Sequence, residues 1–293
     1  MHVLENACLK VSIADKGAEL CSVLDKENGE ERLWWADPAI WNRHAPILFP
    51  FVGKVTEGKY RAGGREYPMK TQHGFARDLD FACLEETQNS LTQRLDATPE
   101  TRAIYPFDFG LRITHSLDAD DPRRLRITWT VENNGAGEML YSIGGHPGFL
   151  MPKGARKEDC FVFFPGHDTL TYFGADSAGF ALPGATHELR LEDGFTPYLP
   201  DVPDTWIFEN RGIDRVGIAG PDRRPYVTLN CPGFPMLAVW ANPRGPYICL
   251  EPWFGRTDDA GFTGTLAEKP GMERLGPGEE RTITYSIDFH AWA

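Results

Sequence analysis

The chain has 293 residues and a formal net charge of −12. A hydrophobic content of 41% supports a sizeable core and excludes disorder, and 30 Gly with 23 Pro, recurring every few residues, disfavour a helical bundle or a coiled coil. The acidic balance repels polyphosphates and no Lys/Arg stripe offsets it, so no nucleic-acid partner is expected.

In chain order, short alternating or apolar runs between turn residues predict strands. Residues 8–14 and 20–24 read as a hairpin around Asp15-Lys16-Gly17. Residues 33–35 read as a short strand before Asp37-Pro38, and 37–42 as a single helical turn. Residues 111–117 and 125–131 alternate well and flank an Asp-rich turn at 118–123, and Glu132-Asn133-Asn134-Gly135 is a further turn. Strands are expected at 160–164, 206–209, 216–219, 226–229, 236–240, 247–250 and 282–289. The stretch 168–203, rich in Gly and Pro, reads as a long excursion within the domain. With no linker and no internal repeat, the pattern suits one all-β domain over 1–293, a sandwich or barrel.

No apolar run reaches the ~18 residues of a membrane-spanning helix. Residues 1–16 carry Glu5, Lys10, Asp15 and Lys16 and lack the apolar run of a signal peptide, so a cytoplasmic protein with no membrane partner is expected. Cys8, Cys21, Cys83, Cys160, Cys231 and Cys249 show neither C-x-x-C nor zinc-like spacing. They read as free, mostly buried thiols, each acting as a small hydrophobe. No metal signature stands out in the sequence, and a metal site assembled from distant strands is left open.

Two histidines stand in Gly-marked turns, in Gln72-His73-Gly74 and Gly144-Gly145-His146-Pro147-Gly148. Glycine there lets the backbone turn sharply or approach a ligand closely. Gly166-His167-Asp168 is a weaker third case. Glu251 follows the apolar run 247–250 and precedes Pro252, which places it at a strand end where burial can raise its pKa. The bland alternative is a Glu251 paired with Arg256. One carboxylate and two imidazoles suit proton transfer on a sugar. G-x-S-x-G and a phosphate-binding Gly loop are both absent.

Several segments stand out in order: Phe49-Pro50-Phe51-Val52-Gly53-Lys54 with Gly58-Lys59-Tyr60, His73-Gly74-Phe75-Ala76-Arg77, and Gly145-His146-Pro147-Gly148-Phe149. Asp204-Thr205-Trp206-Ile207-Phe208, Trp240, and Cys249-Leu250-Glu251-Pro252-Trp253 with Asp258 or Asp259 complete the set. Together they resemble the aldose 1-epimerase (galactose mutarotase) family, in its short bacterial branch. The resemblance implies a large antiparallel β-sandwich and an isomerase that interconverts the anomers of an aldose. It implies a monosaccharide substrate and no cofactor, and it leaves the oligomeric state open. By resemblance, His146 is the acid at the ring oxygen, Glu251 the base at the anomeric hydroxyl, and His73 a polarising neighbour. Asp204 holds sugar hydroxyls, Trp240 stacks on the sugar, and Lys54 and Arg77 bind substrate. Lys54 stands where relatives commonly carry Arg, so a two-donor fork is lost. An acid at position 146 implies that His146 starts protonated, with a pKa not driven far down by burial. A non-catalytic sugar binder, a sugar-phosphate epimerase using Lys54, Arg77 and Arg256, and a two-carboxylate glycosidase are the alternatives; the last lacks a second strong carboxylate.

Overall fold

Alternation builds the strands. In the segment Phe109–Leu117 the buried apolar side chains are Phe109, Leu111, Ile113 and Leu117, and in Arg124–Asn133 they are Leu125, Ile127, Trp129 and Val131. A period of two puts each set on one face, as a half-buried antiparallel sheet requires. The computed structural model describes residues 1–198 and 205–292.

The first strands are β1 (His2–Glu5), β2 (Leu9–Ile13), β3 (Leu20–Asp25), β4 (Glu30–Glu31) and β5 (Ile47–Leu48). A hairpin of β6 (Lys59–Ala62) and β7 (Arg65–Pro68) precedes β8 (Ala82–Glu86) and β9 (Ser90–Asp96). After the helix α1 (Pro99–Ile104) come β10 (Phe109–Leu117), β11 (Arg124–Asn133), β12 (Met139–Tyr141), β13 (Ile143–Gly145) and β14 (Gly148–Leu150). Next are β15 (Phe161–Phe163), β16 (Thr169–Ala175), β17 (Ala181–Arg190), β18 (Phe195–Pro197), β19 (Thr205–Glu209) and β20 (Arg215–Ala219). Then β21 (Pro225–Asn230), β22 (Met236–Trp240), β23 (Tyr247–Phe254), β24 (Glu273–Leu275) and β25 (Glu280–Phe289) follow.

Two large antiparallel sheets result. One has nine strands in the order β18-β15-β20-β21-β25-β11-β10-β9-β8, and the other has eight, β17-β16-β19-β22-β23-β13-β5, with β14 also on β23. Aromatic side chains join them. Trp129 of β11 meets Tyr285 of β25 at 5.0 Å between ring centroids, and Phe234 touches both of these and Phe254 of β23. Each such fully buried side chain contributes roughly 1.5–3 kcal/mol. The all-β antiparallel expectation therefore holds.

Four local readings change. Residues 33–35 form no strand: Leu33 makes a single bridge to Phe149, and Trp35 lies exposed beyond it. The stretch 168–203 contains the hairpin β16–β17. Its breakers Pro183 and Gly184 sit in β17, the edge strand, where no further partner needs the missing N–H. The helix α1 was not expected; Thr98 caps it and Pro99 fills its first position. Cys83 is exposed and Cys8 and Cys21 are half-buried, so only Cys160, Cys231 and Cys249 behave as buried thiols. No helix among the described residues is long and apolar enough to cross a membrane.

Candidate active site

The floor of the site is one face of the eight-stranded sheet. On β23 the side chains of Cys249, Glu251 and Trp253 share a face, because they are two residues apart. Across the ladder, Trp240 pairs with Cys249 and Ala238 with Glu251. On β19, Thr205 pairs with Trp240 and Ile207 with Ala238. The alternate residues Leu250 and Phe254 point into the main core. Glu251 is thus mid-strand, not at a strand end as expected: β23 continues through Pro252 to Phe254.

A break in the neighbouring strand accommodates Pro252. Gly144 pairs with Trp253 and Gly148 with Cys249, so β13 and β14 lie in one register, interrupted between them. The interruption is His146-Pro147, and its register places His146 directly opposite Glu251. No ladder bond is needed there, so a strand Pro is tolerated. His146 Nε2 lies 3.3 Å from Glu251 Oε1. Trp41 and Trp240 flank the His146 ring at centroid distances of 4.9 and 5.5 Å.

His73 enters from a loop. Its backbone is left-handed (φ 66°), a conformation His tolerates better than most residues. The next residue, Gly74, also has positive φ, and a Cβ there would stand 2.2 Å from the Phe49 carbonyl oxygen. Gly53 fastens the loop: the His73 N–H donates to the Gly53 carbonyl at 2.6 Å, and the Gly53 N–H donates to His73 Nδ1 at 3.0 Å. Because Nδ1 accepts, the ring hydrogen is on Nε2. The His73 and His146 rings lie 5.5 Å apart, edge to face.

Lys54, His73, Arg77, His146, Trp240 and Glu251 all line one pocket of about 300 Å³, the lower end of the usual small-molecule range. Asp204 lies outside the described residues; its neighbour Thr205 lines the pocket. His167 and Asp168 do not line it. Lys54 Nζ donates to the Ala178 carbonyl at 2.6 Å, which ties it to the turn before Gly179. Arg77 donates to the Gln72 carbonyl at 2.7 Å while its buried Nε has no hydrogen-bond partner. Arg256 does not face Glu251. It pairs with Glu209 and Asp259, and so it is not a substrate-facing cation.

Burial governs the charges. Glu251 is 2% exposed, and desolvation pushes its pKa well above the carboxylate range, opposed by the Trp253 indole. Burial also pulls His146 down to about 3, with Arg77 adding repulsion. His73 is held well below 6.5 by burial and by His146, Arg77 and Lys54. Burial therefore runs against the expectation that His146 starts protonated in the free pocket. Apolar rings and the sheet surround it, and a lone imidazolium is poorly solvated there. Burial thus disfavours the charged form of each partner, the carboxylate of Glu251 and the imidazolium of His146.

Trp41, Gln72 and Trp253 also line the pocket, and none was singled out as a binding residue. Gln72 and Trp253 adjoin His73 and Glu251 in the sequence, whereas Trp41 carries no such signal. Its loop is placed by contacts from afar, including stacking on Tyr247 at 5.4 Å.

Comparison with known proteins places the fold in a family. The aldose 1-epimerase family model matches residues 1–172. The galactose mutarotase related enzyme of Lactobacillus acidophilus is 33% identical, with a TM-score of 0.92 over 99% of this chain and 97% of its own. A galactose mutarotase-like protein from Lactobacillus casei is 32% identical, with a TM-score of 0.88 over 99% and 100% of the two chains. The plasmid protein LacX of Lactococcus lactis subsp. lactis is 29% identical over 97% of each chain. With the family model covering more than half of the sequence and the fold shared end to end, the chain belongs to the aldose 1-epimerase family.

Proposed function

We propose that the protein is a mutarotase that interconverts the α and β anomers of an aldose. The observation that carries this reading is the His146–Glu251 contact of 3.3 Å on the floor of a sugar-sized pocket. Mutarotation removes a proton from the anomeric hydroxyl and delivers one to the ring oxygen. The ring opens, the C1–C2 bond turns, and the ring closes on the other face. A pair holding one proton between two sites has the base and the acid this needs.

In the free pocket that proton resides on Glu251. Sugar hydroxyls donating to the carboxylate replace the solvation that burial removed. The proton then passes to His146 Nε2, and the pair is armed. Glu251 takes the anomeric proton while His146 protonates the ring oxygen, and the roles reverse on closure. Such groups contribute roughly 10²–10⁴-fold. The Nε2–H of His73 donates to the oxygen that gains charge. Trp41 and Trp240 offer ring faces to the sugar's C–H face, Lys54 and Arg77 hold its oxygens, and Asp204 binds hydroxyls. No cofactor is required, and a single cytoplasmic domain over 1–293 is consistent with these parts.

An anionic aldose is the second reading. Among the described lining residues Lys54 and Arg77 are cationic, and the carboxyl of Glu251 is held neutral by burial. Anomer exchange is measured by NMR with neutral, phosphorylated and sulfonated aldoses. Exchange above the uncatalysed rate with at least one sugar is expected. Binding without exchange would mark a sugar-binding protein instead.

A further inference from the structure

Cys249 stands two residues before Glu251 on the same face of β23, is buried, and has no part in the proton transfer above. Its Sγ, a ring nitrogen of His146 and a carboxylate oxygen of Glu251 all lie within 4.8 Å of one another. We propose that these three side chains form a binding site for Zn²⁺, and that zinc held there keeps the sugar's reacting oxygens out. The exclusion rests on the function proposed above; the metal site does not.

The donor set fits the ion. Zn²⁺ takes imidazole nitrogen at ~2.0–2.1 Å, thiolate sulfur at ~2.3 Å and carboxylate oxygen at ~2.0–2.2 Å, in tetrahedral geometry. Those bond lengths separate neighbouring donors by roughly 3.3–3.8 Å, and His146 Nε2 to Glu251 Oε1 is already 3.3 Å. His146 and Glu251 line the pocket, from which a water would complete the shell. A thiolate beside an imidazole selects zinc over Mg²⁺ or Ca²⁺. Charge also balances. Binding of Zn²⁺ releases the thiol and carboxylic protons to solvent and leaves a thiolate, a carboxylate and a neutral imidazole around a dication. The complex is neutral overall, so the surroundings that disfavour each single charge accept it.

A surface group of like composition, His2, Cys83 and Glu86, is a weaker competitor. Both His2 ring nitrogens are already 2.7 Å from carboxylates, those of Glu86 and Asp15. The test removes it. The full chain carrying Cys83→Ser is dialysed against ZnCl₂ and its metal counted, and a second sample is loaded with CoCl₂ for absorption spectra. About one zinc per chain and a thiolate-to-cobalt charge-transfer band are expected. Both should vanish with the added change Cys249→Ala, or with Cys249→Ser if the alanine variant folds poorly. In metal-free buffer the Cys249→Ala protein should exchange anomers within about threefold of its parent. Zinc at ten times its Kd should cut the parent's exchange to about one-tenth and leave the variant unaffected. Substoichiometric zinc in the parent, or zinc and the cobalt band retained without Cys249, overturns the site. Zinc bound through Cys249 with exchange undiminished overturns the exclusion. A parent with no exchange on any sugar refutes the proposed function, and the metal count alone then decides the site.

Discussion

Lys269→Met cuts a buried ion pair that braces the pocket wall. Lys269 Nζ donates to Asp258 Oδ1 at 2.5 Å, and both side chains are almost fully buried. Asp258 Oδ2 accepts from the Thr56 N–H at 2.7 Å and from its hydroxyl at 3.1 Å. The same stretch grips Lys54: its N–H donates to Thr257 Oγ1 and its carbonyl accepts from the Asp258 N–H. Removing one partner of such a pair costs about 3–5 kcal/mol, because a buried charge is stranded. The two Thr56 bonds persist, so about 3 kcal/mol is expected. At roughly 2 °C per kcal/mol for a chain of this size, Tm falls by about 6 °C. Asp258→Asn combined with Lys269→Met leaves no stranded charge and should recover at least half of the loss. Urea and thermal melts give the cycle, and anomer exchange should show KM rising more than kcat falls, since the brace acts through Lys54. A loss below about 1 kcal/mol for Lys269→Met, or a double variant as weak as the sum of the singles, refutes the reasoning.

Burial holds His115 of β10 at about 4 against 6.5 when free. Between these values the unfolded chain binds the proton and the folded chain does not, so stability falls as pH drops. The loss is on the order of 2–3 kcal/mol between about pH 7 and 4.5. His115→Leu should flatten that slope in urea melts; parallel slopes would remove His115 as the cause. Lys54→Ala should raise KM severalfold with kcat within about threefold, and an effect confined to kcat would contradict a binding role. Trp41→Ala should weaken sugar binding about 3–10-fold by titration; unchanged affinity would exclude stacking. Finally, kcat/KM should not fall as pH rises through 6.5, because burial pulls His146 down to about 3 and pushes Glu251 well above the carboxylate range. A fall centred near 6.5 would show that the free enzyme relies on an imidazolium.

The sequence was most legible where local pattern and tertiary need coincide. Alternation in 111–117 and 125–131 gave β10 and β11 directly, since one face of each is buried. The Gly-flanked histidines and Glu251 are legible as a candidate site, and the structure brings them to one pocket, with Glu251 mid-strand and not at a strand end. The His146–Glu251 register was hidden, because it depends on β13 and β14 pairing with β23 across more than a hundred residues. Trp41 was hidden for the same reason: its loop is ordered by Tyr247 and Trp240, not by its own sequence. The burial of His146 is not legible, because residue identity does not reveal depth, and depth governs how readily the ring takes charge.

The most direct measurement is anomer exchange, by polarimetry or NMR, in Glu251→Gln, His146→Asn and the double variant. Each single change should slow exchange roughly 10²–10⁴-fold while sugar binding and the fold persist. The double variant should be about as slow as the slower single, since the two residues share one proton. Exchange at the wild-type rate in either single variant would contradict a proton pair at Glu251 and His146.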